Sequence, residues 1–389
     1  MLTKAEVAAV QAVLKDLGLD GWLLFDFHGV NPVAGRVLNV GGMGSRRLFV
    51  LIPREGEPVA VAHKIELQPV LGFPGLIRPY ARWQELHQEL GAIVSGRRLA
   101  MEISPEDAVP YLDRVPAGVI ELVRRLGGTA VPSAPLVSRF AARWSPSETA
   151  DHLYAAEVLA EVAQAELRYG ADKGAGIRET ELQARVIDGI HKRGLEFDHP
   201  PIVAFGANAA NPHYEPVAGS DAVLMANQVI LLDLWGGRSL QTVFADQTWM
   251  AFSGSRPPEK VQKVWETVRD ARDAAIALVH SAAGKRPVAG FEADRAARGV
   301  IEAAGFGEFF VHRTGHSIDR DLHGSGPHLD DYETHDDREL VPGVGFSIEP
   351  GIYLPGDFGV RSEVNMFWGK DGPRVTPNVP QRELILRGT

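Results

Sequence analysis

Two aspartates interrupt apolar segments that otherwise predict buried β-strands. Asp233 lies in the run 229–235, whose other members are all apolar, and Asp246 lies in a second run at 241–252. The intervening residues 236–239 are Gly-Gly-Arg-Ser and predict a hairpin. Either aspartate alone is typical of a turn cap or a structural ion pair. Two carboxylates on one hairpin repel unless a proton or cation lies between them, so a cation site is an open alternative.

A second pair of acidic residues follows near the other end of the chain. Glu349 lies in 346–351 and Glu363 in 360–364, which together predict another strand pair. Glu363 could instead pair with Arg361 at the surface, and His316 alone could be a structural histidine. Taken together, the four carboxylates and one imidazole suit two neighbouring divalent cations. The sequence contains no cysteine, so any metal must be held by nitrogen and oxygen.

The order of the predicted elements indicates an α+β protein with two domains. A helix at 3–17 and strands at 21–25, 48–52 and 59–62 predict a small N-terminal α/β domain over 1–143. Residues 145–148, Ser-Pro-Ser-Glu, have the form of a capping box and open a long predicted helix at the start of a second domain, 144–389. The pattern there predicts helices at 179–193, 259–283 and 292–304, followed by a strand-rich region at 308–387.

Composition and charge argue against two classes of binding partner, nucleic acids and membranes. The net charge of -10 and the lack of a basic stripe argue against nucleic-acid binding. No apolar run approaches the roughly 18 residues needed to span a membrane. Residues 2–17 mix charged and apolar residues at helical spacing, unlike a signal peptide. We therefore expect a cytoplasmic protein without a membrane partner.

The five candidate ligands occur in an order and setting that resemble those of the pita-bread metallopeptidases, the creatinase, prolidase and aminopeptidase P family. Residues 229–248 resemble the two-aspartate hairpin of that family, and 348–353, Ile-Glu-Pro-Gly-Ile-Tyr, resemble its Glu-Pro-Gly segment. The preceding α/β domain resembles that of the same branch and argues against methionine aminopeptidase. The resemblance is greatest to bacterial Xaa-Pro dipeptidases, and it implies a pita-bread catalytic domain, a homodimer and cleavage before proline.

The resemblance also implies a role for each ligand. Asp233 would chelate one metal, Asp246 and Glu363 would bridge two, and His316 with Glu349 would hold the other. Glu349 would serve in addition as the general base. The implied cofactor is two divalent ions per chain, and Mn²⁺, Co²⁺ and Zn²⁺ all accept such ligands.

Other positions match family residues beside the substrate. By resemblance, His213 would lie near the substrate and His323 would stabilise the tetrahedral intermediate. Three more residues match positions of the substrate pocket: His312, Tyr353 and Arg361. A surface ion pair is the alternative for Arg361.

The chain departs from the family pattern at several positions without losing a ligand. Ser317 and Asp319 stand where relatives commonly have glycines, and Gly324 follows His323 where an acid is common. Trp249 and His335 each occupy a position where relatives often have arginine.

His335 would bind a substrate carboxylate weakly at neutral pH, so we expect a substitute from the first domain. The best candidate is Arg46, which follows the flexible stretch 41–45 and carries a guanidinium group that matches a carboxylate. Arg47, or a solvated Arg-Arg pair, is the alternative. The expected substrates are Xaa-Pro dipeptides; an aminopeptidase P acting on longer peptides and a non-catalytic binding relative stay open.

Overall fold

The computed structural model describes residues 2–39 and 44–388. Residues 41–43 of the predicted flexible stretch lie outside the described residues. The chain divides into two compact units, Met1–Ala141 and Ala142–Thr389. None of the helices in the described part of the chain is long and apolar enough to cross a lipid bilayer.

The first unit is built on one mixed sheet. Its strands are β1 Gly21–Asp26, β2 Leu48–Pro53, β3 Val59–His63, β4 Leu76–Tyr80, β5 Arg98–Met101 and β6 Thr129–Pro132. Its helices are α1 Lys4–Asp16, α2 Pro32–Leu38, α3 Trp83–Val94, α4 Ala117–Arg125 and α5 Ala134–Leu136. The six strands are ordered β4-β3-β2-β1-β5-β6. The helix predicted at 3–17 and the strands predicted near 21, 48 and 59 are all present.

The second unit contains the acidic strands. Its helices are α6 Pro146–Lys173, α7 Glu179–Lys192, α8 Glu259–Ala282 and α9 Gly290–Ala303. Its strands are β7 Ile202–Phe205, β8 Val229–Gly236, β9 Ala245–Phe252, β10 Ser317–Ile318, β11 Gly345–Ile348, β12 Gly351–Leu354, β13 Phe358–Arg361, β14 Val364–Gly369, β15 Gly372–Thr376 and β16 Ile385–Leu386. They form three sheets, ordered β16-β9-β8-β7, β10-β11-β14-β15 and β12-β13. This mixture of helices and strands confirms the predicted α+β class.

The predicted capping box starts α6. The Ser145 side chain accepts a hydrogen bond from Glu148 N at 3.2 Å, and Glu148 Oε2 accepts one from Ser145 N at 2.7 Å. These bonds satisfy backbone donors that the first helical turn leaves unpaired.

The hairpin predicted around the two aspartates forms, but its connection is longer than predicted. The second strand begins at Ala245 rather than near 241, so 237–244 link β8 to β9. Alternate residues of β8 pack in an apolar cluster with α6 and α7: Ile230, Leu232 and Leu234. Because side chains alternate along a strand, Asp233 lies on the other face. Asp233 is directly opposite Thr248 of β9, and Asp246 lies two residues from Thr248 on the same face.

The second acidic pair lies just beyond the ends of two paired strands. Ile348 of β11 is opposite Val364 of β14, and Glu349 and Glu363 are the adjacent residues. The predicted strand pair is therefore present, with the glutamates at its end rather than within it. The β12–β13 hairpin occupies the intervening chain.

Candidate metal centre

Three of the predicted ligands form a compact buried group. One ligand atom from each of Asp246, His316 and Glu363 lies within 4.8 Å of the others. His316 Nε2 is 3.5 Å from Asp246 Oδ2 and 3.3 Å from Glu349 Oε1. The other ring nitrogen, Nδ1, is 3.2 Å from the Ser317 carbonyl oxygen. With Nδ1–H donating to that carbonyl, Nε2 is the ring nitrogen that faces the carboxylates and that would bind a metal.

Close approach of two backbone segments holds His316 beside Glu349. A Cβ at Gly315 would lie 2.1 Å from the Ser347 carbonyl oxygen, so only glycine permits this packing. Ser347 Oγ then accepts a hydrogen bond from His316 N at 2.9 Å and donates one to Glu349 Oε1 at 2.9 Å. One serine hydroxyl thus fixes both predicted ligands.

Thr248 links Asp233 to the buried group of Asp246, His316 and Glu363. Its Oγ1 lies 3.1 Å from Asp233 Oδ1 and 2.9 Å from Glu363 Oε2. Arg361 donates from Nε to Thr248 Oγ1 at 2.9 Å and from Nη2 to Asp233 Oδ2. Thr248 was not among the residues predicted from the sequence, although its place two residues after Asp246 in a strand puts it on the same face.

Burial makes negative charge unfavourable in this group. It raises the pKa of Asp233 to about 7 and also raises that of Asp246. Burial, reinforced by the charges of Asp246 and Glu349, holds the pKa of Glu363 well above its usual range. In the described structure Glu363 Oε1 is buried without a hydrogen-bond partner. A cation would satisfy both the charge and this oxygen, and the oxygen and nitrogen donors fit a divalent metal.

Glu349 differs from the other carboxylates of this group because its pKa is lowered rather than raised. Burial raises its pKa, but the charges of His316 and Arg361, together with the hydrogen bond from Ser347, outweigh burial and lower it overall. Glu349 is therefore the carboxylate of the group best able to stay ionised and accept a proton.

A cavity of about 330 Å³ opens beside the group. Its lining includes six residues predicted from the sequence: His213, His312, His316, His323, Glu349 and Arg361. The ring centroid of His323 is 4.2 Å from that of His316. Two lining residues that sequence analysis missed, Arg313 and Glu333, form an ion pair at 3.7 Å.

A directed hydrogen-bond chain joins two residues of the cavity wall, Arg361 and His312, through Tyr353. Arg361 Nη1 lies 3.3 Å from the Tyr353 hydroxyl, which is 2.8 Å from His312 Nε2. Burial lowers the pKa of His312 to about 4, so its ring is neutral at neutral pH. Its Nδ1 lies 2.7 Å from the Arg313 carbonyl oxygen. This tautomer makes Nε2 the acceptor of the Tyr353 proton.

Two predicted substrate residues, His335 and Arg46, are not among the described residues that line this cavity. His335 is exposed, and its Nδ1 lies 2.6 Å from Asp331 Oδ1. Arg46 belongs to the first unit, where it lines a cavity of about 230 Å³ with Arg47 and Glu66. Its role in binding a substrate carboxylate stays a prediction.

A buried set of carboxylate and imidazole donors beside a histidine-lined cavity is the arrangement of a metal-dependent hydrolase site. Residues 151–367 match the model of metallopeptidase family M24. The chain belongs to this family.

Comparison with individual proteins agrees with this assignment. The chain is 34% identical over 206 residues to the Xaa-Pro dipeptidase of Lactobacillus delbrueckii subsp. lactis, a match that spans 53% of this chain and about half, 51%, of that protein. It is 30% identical over 349 residues to the probable dipeptidase PepE of Mycobacterium bovis, covering 82% of this chain and 84% of that protein.

A solved structure shares the fold along nearly the whole chain. The crystal structure of dipeptidase PepE from Mycobacterium ulcerans superposes with a TM-score of 0.73 at 24% identity, covering 98% of this chain and 96% of that one. These likenesses confirm the predicted resemblance to the pita-bread prolidase family.

Proposed function

We propose that this protein hydrolyses the peptide bond before proline, chiefly in Xaa-Pro dipeptides. The observation that carries the proposal is the buried group of Asp246, His316 and Glu363 beside the cavity. One oxygen of this group, Glu363 Oε1, has no hydrogen-bond partner among the described residues. The names of the relatives in the dipeptidase branch support the choice of substrate.

The proposed cofactor is a pair of divalent ions, Mn²⁺, Co²⁺ or Zn²⁺. The ions would be held by the five predicted ligands, Asp233, Asp246, His316, Glu349 and Glu363. Such ions polarise a carbonyl and lower the pKa of water towards neutrality.

Side chains of the cavity would carry the proton transfers. Glu349, whose pKa is lowered, accepts the proton of the attacking water and returns it to the prolyl nitrogen as the bond breaks. His323 donates a hydrogen bond to the oxygen that gains charge in the transition state. His213, which lines the same cavity, would face the substrate. Tyr353 and His312 keep Arg361 in place through their hydrogen-bond chain.

The size of the cavity supports a short substrate. A volume of about 330 Å³ is at the lower end of the range for small-molecule sites. A cavity of this size suits a short peptide such as a dipeptide. Homodimer formation and a cytoplasmic location, both expected from the sequence, stay predictions.

A panel of peptides tests the proposal. Hydrolysis is measured with Xaa-Pro dipeptides, Xaa-Pro-Yaa tripeptides and dipeptides without proline, each in the presence of Mn²⁺, Co²⁺ or Zn²⁺. We expect kcat/KM to be highest for Xaa-Pro dipeptides. Preference for the tripeptides would indicate an aminopeptidase P, and no turnover of any peptide with any metal would reject the proposal.

A further inference from the structure

One buried carboxylate organises the loop that carries His323. Asp319 accepts hydrogen bonds from Asp321 N at 2.9 Å, from Ser325 N at 2.9 Å and from Ser325 Oγ at 3.1 Å. The donors precede and follow His323 in the chain. A single side chain therefore ties together both sides of the loop 320–325.

The glycine after His323 makes room for this carboxylate. A Cβ at Gly324 would lie 2.7 Å from both Cγ and Oδ2 of Asp319. Gly324 N also donates to the Ser317 carbonyl oxygen at 2.7 Å, which holds the loop against β10. Asp319 and Gly324, two separate departures from the family pattern, are thus parts of one packing arrangement.

The orientation of His323 depends on this loop. The ring centroid of His323 lies 4.2 Å from that of His316, and His323 lines the cavity. No hydrogen bond holds the His323 side chain within the described residues. Its position therefore depends on packing against His316 and on its backbone, which Asp319 anchors on both sides.

We propose that Asp319 is a positioning residue that acts through His323, holding the imidazole where it reaches the reacting carbonyl. The catalytic consequence rests on the proposed function; the structural link between Asp319 and His323 does not. Misplacing a catalytic group by about 1 Å costs up to roughly 100-fold in rate.

A double-mutant cycle tests the link. We compare kcat and KM for an Xaa-Pro dipeptide in Asp319→Ala, His323→Ala and the double variant, at equal metal content. Asp319→Ala is expected to lower kcat about 10- to 100-fold and change KM less than about threefold. The double variant should have the kcat of His323→Ala, because Asp319 has no further effect once the imidazole is gone. Equal, additive losses in the two backgrounds would overturn the proposal.

Matched variants separate positioning from folding. Asp321→Ala removes a neighbouring exposed carboxylate of the same loop and should leave kcat unchanged within about twofold. If Asp319→Ala does not fold, Asp319→Asn and Ser325→Ala take its place in the cycle, and each removes part of the hydrogen bonding. Both should lower kcat in the same direction by a smaller factor, and no loss in either would reject the role.

A spectroscopic measurement is independent of turnover. The ring signals of His323 in the nuclear magnetic resonance spectrum are identified by their absence from His323→Ala. They should shift in Asp319→Ala and stay in place in Asp321→Ala. If the wild-type protein cleaves no peptide, the proposed function fails while this measurement still decides the structural link; unchanged His323 signals in Asp319→Ala would refute it.

Discussion

Arg361 and Asp233 form a buried ion pair beside the group of Asp246, His316 and Glu363. Arg361 Nη2 donates to Asp233 Oδ2, and both side chains are largely shielded from solvent. The guanidinium supplies the positive charge that an aspartate in an apolar strand requires. Glu363, on the other side of Thr248, has no comparable partner for its Oε1 in the described structure. The unmet need for positive charge is therefore greatest at Glu363.

We predict two divalent ions per chain and a strong dependence of binding on Glu363. Glu363→Gln should weaken metal binding by more than the roughly 100-fold that follows loss of an outer partner of a ligand. Calorimetric titration of the metal-free protein measures the number of ions bound per chain and the binding affinity. Glu333→Gln, which changes another carboxylate of the same cavity, serves as the control and should bind metal normally. Full hydrolytic activity in metal-free protein would contradict the metal assignment.

Glu349→Gln should abolish turnover more than substrate binding. The substitution keeps an oxygen ligand but removes the proton acceptor, so kcat should fall by about 10² to 10⁴ while KM changes little. Steady-state kinetics on a variant with verified metal content give both values. A kcat near that of the wild type would exclude Glu349 as the base.

His323→Ala should lower kcat by roughly 10² to 10³, the usual cost of removing one donor to a developing oxyanion. Substrate affinity should be nearly retained, since the interaction forms in the transition state. His199→Ala, at an exposed histidine, is the control. Unchanged kinetics in His323→Ala would leave that residue a structural role only.

Arg46→Ala should reduce the preference for dipeptides over their C-terminal amides, because the guanidinium is predicted to bind the free carboxylate. The quantity to compare is the ratio of kcat/KM for Xaa-Pro and Xaa-Pro-amide, in wild type, Arg46→Ala and Arg47→Ala. Arg54→Ala is the control, since Arg54 pairs with Asp20 on the surface of the same unit. An unaltered ratio in Arg46→Ala would rule out the clamp.

Buried His152 should make the folded state sensitive to mild acid. Its Nδ1 and Nε2 each lie 2.9 Å from an oxygen, of Phe244 and Thr376 respectively, and burial lowers its pKa from 6.5 to about 4. The unfolded state takes up the proton first, so this stability is complete above pH 6.5 and declines as the pH falls towards 4. The loss amounts to about 2 kcal/mol between pH 7 and pH 5.

Urea unfolding at pH 7, 6 and 5 measures this effect in wild type and in His152→Gln. The variant should lose less free energy of unfolding across that interval than the wild type, by about 2 kcal/mol. His199→Gln should follow the wild type. Parallel losses in wild type and His152→Gln would show that His152 does not determine the acid sensitivity.

Local sequence patterns were sufficient to predict several helices and strands and to select the candidate metal ligands. The apolar run at 229–235 predicted a strand, and the capping box predicted the start of α6. The start of the strand that carries Asp246 was predicted wrongly, near residue 241. The sequence Gly-Gly-Arg-Ser is typical of a tight turn, but the connection continues to residue 244. Strand limits depend on pairing with neighbouring chain, which a short window does not contain.

The sequence by itself determined which acidic residues interrupt apolar strands, because a charged residue inside an apolar run is recognised from its immediate neighbours. Only the tertiary structure decided how those charges are satisfied. Thr248 meets Glu363 across 115 residues of chain, and Arg361 meets Asp233 across 128. Likewise, Asp319 and Gly324 show their shared packing only when the loop is folded. Contacts of this kind arise from how distant segments pack, and they leave no periodic trace in the sequence.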